Sequence, residues 1–425
     1  MPILNSQPKP DRLLHSLLSQ GGGKIFSLFV AIVISGWTAR YLGPQQLGTL
    51  SYAAALVGLL GPIGNLGVKG SLSGMLCEKQ PLPGLLGSAL LIEIVGTLII
   101  ALVLIPFAWA ANDPFIAGLI ALGIVGNLLS SSEVFEVELL NREQGTLLAR
   151  NDTIQTVAGA VLSVLALIAQ APLLVFGGLP VVKAAIGSWL LARSVQAINL
   201  VHLLKQASWI TSRALIKRGW PLIFSGLSVV VYMKSDQVML EWLKGSEDLG
   251  QYSVAVKLSE SLYFLPLLIS KTFLPRIGRG TGVFESDLNL RQLYQLAWLC
   301  GVGMTLTSMF LLPLLVPLVF GDKFIPASSA LVWLGPAAFA VSTGCASGAW
   351  LNTQGYQKIM AQRTALGAVA NIVLNLLFIP WIGNVGAALS TSISYFLSVY
   401  STGAFRKEVL ANTLNLLFPF RYGNH

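Results

Sequence analysis

The sequence predicts an all-α polytopic membrane protein with about twelve transmembrane helices arranged in two halves of six. Three observations predict it. Hydrophobic residues make up 54% of the chain and charged residues only 11%, with a mean hydropathy of +0.71, whereas soluble domains are about a quarter charged. Apolar stretches of the roughly 20 residues that cross a bilayer recur along almost the whole length. Lys and Arg, finally, collect in alternate loops, as topology control by positive charge requires.

Residues 1–23 lack the apolar core and cleavage site of a signal peptide. Leu13, Leu14, Leu17 and Leu18 recur at helical spacing, which predicts a short helix on the membrane surface, broken at Gly21-Gly22-Gly23. Crossings are expected at 24–42, 47–68, 84–108, 115–135, 153–170 and 181–201 in the first half. The second half is expected to cross at 220–242, 249–273, 294–319, 328–350, 364–380 and 385–403. About 19 basic residues then fall on one side, against Arg40, Lys183, Lys244 and Lys323 on the other. Both termini are therefore expected in the cytoplasm. The inner loop 202–219 carries Lys205, Arg213, Lys217 and Arg218, and divides an N-terminal lobe (1–219) from a C-terminal lobe (220–425).

The halves echo each other. Leu47-Gly48 through Ser51, Ala53 and Leu56 matches Leu249-Gly250 through Ser253, Ala255 and Leu258 in register. An even number of crossings per half puts the copies in the same orientation, a parallel repeat about an axis along the membrane normal.

The net charge of +9 is spread between spans and does not indicate nucleic acid. Cys77, Cys300 and Cys345 give neither a disulfide framework nor a metal spacing, and His15, His202 and His425 are isolated. No cofactor is expected. Glu133, Glu136 and Glu138 read as a solvated helix end, and the central basic loop as a phospholipid contact.

The informative residues are charges inside apolar spans: Lys234, Asp236, Lys257 and Glu260 in one hairpin, with Glu93 and Arg193 in the first half. A charge in hydrocarbon costs roughly 2.5–3.5 kcal/mol on insertion scales, so it is normally paired or faces water. Counting depth along each helix suggests Asp236–Lys257 and Glu93–Arg193 as pairs across helices. Pairs of that kind could fix helix register; left free, the same cations could meet an anionic substrate.

Tyr232-Met233-Lys234-Ser235-Asp236-Gln237-Val238, followed by Leu249-Gly250-Gln251-Tyr252-Ser253, resembles the span-seven signature of Wzx-type polysaccharide-biosynthesis flippases, within the multidrug/oligosaccharidyl-lipid/polysaccharide exporter superfamily. Ala39-Arg40-Tyr41-Leu42-Gly43-Pro44 resembles the span-one signature. Asn352 through Gly355, Asn371, Asn375 and Pro380 to Gly386-Ala387-Ala388 resembles spans ten to twelve. The resemblance runs over essentially the whole chain.

It implies two six-helix lobes around a central cavity that opens alternately to the two sides. It also implies a transporter, not an enzyme, that moves an undecaprenyl-pyrophosphate-linked oligosaccharide across the bacterial inner membrane. Lys234, Lys257, Arg193, Arg40 and Lys24 are then the candidate cavity cations for the pyrophosphate. Asp236, Glu260 and Glu93 are the candidate acids for pairing or for coupling to H+ or Na+. The implied partners are the lipid-linked substrate, membrane lipids and polymerase machinery, with the protein itself monomeric.

A multidrug or organic-cation antiporter of the same superfamily is the alternative, although the acid expected in its first span is missing here. A polymerase or ligase would need a large external loop, and a lipid II flippase further spans.

Overall fold

Inside a bilayer the backbone has no water to bond, and this chain satisfies its polar groups within helices. The computed structural model describes residues 10–76, 82–110, 113–142, 144–195, 200–278, 283–401 and 407–420. The first half comprises α1 (Pro10–Asn65), α2 (Val68–Leu76), α3 (Leu82–Ala110), α4 (Pro114–Ser130), α5 (Val134–Asn141), α6 (Gly145–Ile168) and α7 (Leu173–Ser194). After the short α8 (Leu200–Lys205) come α9 (Trp209–Lys244), α10 (Ser246–Glu260), α11 (Phe264–Gly278), α12 (Val283–Leu306) and α13 (Leu312–Phe320). Then follow α14 (Ala327–Thr353), α15 (Gln357–Tyr400) and the amphipathic α16 (Lys407–Leu417).

Two of these helices cross twice. The chain in α1 turns back at Gly43 (φ 73°, ψ 173°), and α15 turns back at Ile382-Gly383. The pairs α4–α5, α10–α11 and α12–α13 each make one crossing, the last through a π-helical turn at Thr307–Leu311. With α3, α6, α7, α9 and α14 this gives twelve crossings among the described residues, in two lobes of six. Large side chains such as Leu102, Trp109, Leu314 and Trp381 stand outward and uncovered, as on a lipid-facing surface.

Two sequence expectations differ from the structure. No break occurs at Gly21-Gly22-Gly23; α1 runs through them without interruption. Glycine weakens a helix in water, but breaking one beside lipid would strand backbone groups, which costs more. The 202–219 stretch is not an open loop either. It is largely helical, and the Ser208 backbone N–H donates to the Ser88 hydroxyl at 3.1 Å, which ties it to α3.

The lobes meet through glycine. A Cβ on Gly48 would collide with the carbonyl oxygen of Ser246, and one on Gly250 with the carbonyl oxygen of Pro44. Gly43 and Gly245, Pro44 and Ser246, and Gly48 and Gly250 all lie 202 positions apart in the chain. Gly245 (φ 91°, ψ 178°) turns the chain between α9 and α10 much as Gly43 turns it within α1. Residue i of one half thus touches residue j of the other, and j touches i, the mark of a two-fold contact. The internal repeat expected from Leu47-Gly48 and Leu249-Gly250 is therefore visible as geometry.

Around this contact the Trp242 indole N–H donates to the Tyr52 hydroxyl at 2.7 Å. Arg40 donates from Nε to the Val319 carbonyl at 3.0 Å, and also to the Pro317 and Leu318 carbonyls. Those carbonyls lie in the last turn of α13, where backbone donors run out; that of Pro317 also accepts the Gly321 N–H at 3.0 Å.

Candidate functional site

A groove follows one face of the second crossing. Leu47, Leu50, Gly58, Gly61 and Asn65 recur at three- and four-residue spacings or their sums and share that face, with Ala54 exposed between them. The half of the groove nearer Gly43 is a cavity of about 420 Å³, walled by Ser35, Thr38, Thr156, Ser163, Lys183 and Lys257. The other half, about 550 Å³, lies between the second crossing and α9, against Gly226 and Val230, and includes Lys69 in its lining. A side chamber of about 290 Å³ opens beside Lys183 and is lined by Ser130, Glu133, Glu136, Asp152, Gln155 and Ser188.

Lys257 reaches into the groove from α10, the second lobe, while Lys183 enters from α7, the first. Among the described residues neither forms an ion pair, and both side chains are exposed to the groove. Polar side chains of Thr38, Thr156 and Ser163 supply hydroxyls around them. An ammonium at this depth is tolerable where it faces an open cavity rather than lipid. The arrangement can hold an anion.

The structure separates Asp236 from Lys257, and the pair expected between them does not form. Asp236, 2% exposed, accepts from the Tyr252 hydroxyl, from the Thr391 hydroxyl at 3.1 Å and from the Gln237 backbone N–H at 2.7 Å. Tyr252 and Lys257 are five residues apart, about 140° around the helix, so if one faces Asp236 the other turns away. A depth count leaves out this rotation.

The Asp236 network continues through buried amides. Ser235 and the Asn375 Nδ2 both donate to the Asn371 Oδ1 at 2.9 Å, and the Asn371 Nδ2 donates to Ser394 at 3.2 Å. Buried polar groups need such partners, and α9 and α15 are joined by this set. Lys234 is half-buried, close enough for its charge to act on Asp236 and on Glu260, without an ion pair to either.

Glu93 and Arg193 do not pair either. The Arg193 guanidinium stacks over the Trp189 ring at 5.3 Å on the outer surface of α7. Glu93 lies 2% exposed on α3, which packs against α1, α4 and α9. Its charged neighbours are Lys69 and Glu133, which pair with each other. Arg40 is spent on the α13 carbonyls, so it serves helix ends rather than the groove. The Lys24 side chain lies outside the described residues. Glu133 and Glu136 line the side chamber and Glu138 pairs with Arg142, so the expected solvated helix end is a chamber wall.

The expected sixth crossing, 181–201, begins just past Pro180 and so leaves Lys183 at its outer end, among the charges of that side. In the structure α7 begins at Leu173 and carries Pro180 inside it, which brings Lys183 to mid-helix. No sequence signal besides helix continuity could have found it. Arg363, counted among loop cations, is likewise buried, donating to Ser347 at 3.3 Å and to the Gly344 carbonyl at 3.2 Å.

A sequence profile of polysaccharide biosynthesis proteins matches residues 13–280, and a MatE profile matches 221–377. The probable low-salt glycan biosynthesis flippase Agl15 of Haloferax volcanii is 21% identical over 378 residues, covering 84% of this chain and 75% of the relative. Among solved structures, the lipid II flippase MurJ in an inward closed conformation aligns with a TM-score of 0.70 at 14% identity, over 94% of this chain and 90% of that one. An inward-facing multidrug resistance MATE family transporter of the MOP superfamily aligns at 0.64 and 14% identity, over 92% and 96%. The fold is thus shared across that superfamily, and the profile that covers most of this chain decides within it: the chain belongs to the polysaccharide biosynthesis protein family.

Proposed function

We propose that the protein is a flippase that carries an undecaprenyl-pyrophosphate-linked oligosaccharide across the plasma membrane by alternating access, for cell-surface polysaccharide synthesis. One observation carries the proposal: Lys257 reaches from the second lobe into a cavity otherwise walled by the first, with no acidic partner among the described residues. A cation exporter gains nothing from an unpaired ammonium on its path, whereas a pyrophosphate carrier needs one. Lys183 gives a second positive charge on the opposite wall. Lys is a compact point charge on a flexible stem, suited to a headgroup that must be released again.

The lipid tail stays in the bilayer while the sugar passes through the groove. Energy comes from H+ or Na+ carried by Asp236, whose buried oxygen-rich setting differs from the open groove. The test uses cells in which this chain is the sole flippase. Lys257→Ala should leave membrane abundance near wild type and cause headgroup-linked lipid to accumulate on the inner leaflet. Full export by that variant at normal abundance would remove Lys257 from the reaction. Transport of organic cations instead, with lipid export absent, would support the multidrug antiporter suggested by the MATE-type fold.

A further inference from the structure

The Lys69–Glu133 pair lies at the far end of the groove, away from Lys257 and Asp236. Lys69 is the second residue of α2. Leu66 (φ 43°) and Gly67 (φ 64°) make the turn that sets this helix start, and Leu66 is a non-glycine in a strained left-handed conformation. The turn is pinned to α9, because a Cβ on Gly67 would meet the Gly219 carbonyl oxygen at 2.5 Å.

A cation in the first turn of a helix opposes the helix dipole. Glu133 offsets that incompletely, since the two side chains remain 35% and 40% exposed. Open space adjoins the pair, for a Cβ on Gly58 or on Gly61 would touch nothing within 4 Å. Behind it stands Glu93, 2% exposed, with Oε1 lacking a hydrogen-bond partner among the described residues. Glu93 and Glu136 are near enough for their charges to act on Lys69, but Glu133 alone pairs with it. The remaining wall of this part of the groove is apolar or small: Pro62, Val68, Ile223 and Val230 beside the glycines.

We propose that Lys69 is the residue on which an incoming prenyl diphosphate first docks, and that Glu133 is the internal anion it displaces. The proposal rests on the flippase reading above. A diphosphate brings more negative charge and more acceptor oxygens than one carboxylate, and it can add to the α2 dipole as well as to the ammonium. Glu133 gives way at little cost because it already borders the polar side chamber with Ser130 and Ser132. Pro62, Ile223 and Val230 take the first isoprene units, and Glu93 keeps the ammonium from leaving the mouth.

The test is binding of geranylgeranyl diphosphate to the full chain in lipid nanodiscs, with thermal unfolding as the check on folding. Glu133→Gln should bind several-fold tighter, since the competitor loses its charge. Lys69→Ala should bind roughly tenfold more weakly, the loss of one charge-assisted contact, and Lys69→Arg should keep most of the affinity. If Lys69→Ala does not fold, the tighter binding of Glu133→Gln still decides the matter. Unchanged or weaker binding by Glu133→Gln, or wild-type binding by folded Lys69→Ala, overturns the docking role and leaves the flippase reading standing. Inorganic pyrophosphate should bind far more weakly than the prenyl compound; equal affinity would mean a free-anion site and overturn the lipid assignment. No saturable binding by the wild type would overturn the flippase reading and the docking role together.

Discussion

At the residue scale, Lys234 and Asp236 do different work although only one residue separates them. Lys234 is half-buried without an ion pair among the described residues, while Asp236 is bound into the Tyr252–Thr391 network. Lys234→Ala is therefore expected to fold, to reach normal membrane abundance and to be inactive, with Lys234→Arg partly active; lipid accumulation read beside abundance checks this. Asp236→Leu should instead lower abundance, because it leaves Tyr252 and Thr391 without their acceptor at about 1–3 kcal/mol per unsatisfied group. Asp236→Asn keeps the shape and should reach normal abundance while losing export driven by H+ or Na+. Retained ion dependence in Asp236→Asn would remove that residue from coupling. The intramembrane position of these charges was legible in the sequence, because polar residues stand out in apolar runs. Their partners were not legible. Rotation about the helix axis decides which of Tyr252 and Lys257 meets Asp236, and a depth count along the axis carries no rotation.

At the element scale, the positive-φ glycines decide where the chain turns and how closely the lobes approach. Gly43 and Gly245 were readable as breaks in long apolar runs, and the repeat around them placed Gly48 and Gly250 in equivalent positions. Pro180 was misleading for the opposite reason: next to lipid a proline can remain inside a helix, since neighbouring helices cover the freed carbonyl. Gly48→Leu and Gly250→Leu should act alike, as each drives a side chain into a backbone carbonyl of the other lobe. Either is expected to hold the Gly245 end open and to reduce export severalfold at near-normal abundance. Labelling of a cysteine placed at Thr49 should then rise in both variants. Unchanged labelling in both would show that this end does not depend on the glycine contact for closure.

For the whole molecule, the twelve crossings followed from hydropathy, and the sidedness proposed from basic residues remains a separate expectation. Reporter fusions at residue 206 and after residue 420 should both report cytoplasm; an external result at 206 would invert the topology. The reciprocal glycine contact also has a consequence for ancestry. A two-fold contact of this kind is what two identical chains would make, and in such a dimer every substitution is felt twice. Joined in one chain, the equivalent positions mutate independently. Gly48 and Gly250 are alike where the backbones touch. Asp236 is not matched, for its counterpart 202 positions earlier is the apolar Ile34. Equivalent positions of the two halves are thus free to differ, as Ile34 and Asp236 do, a freedom closed to a symmetric pair.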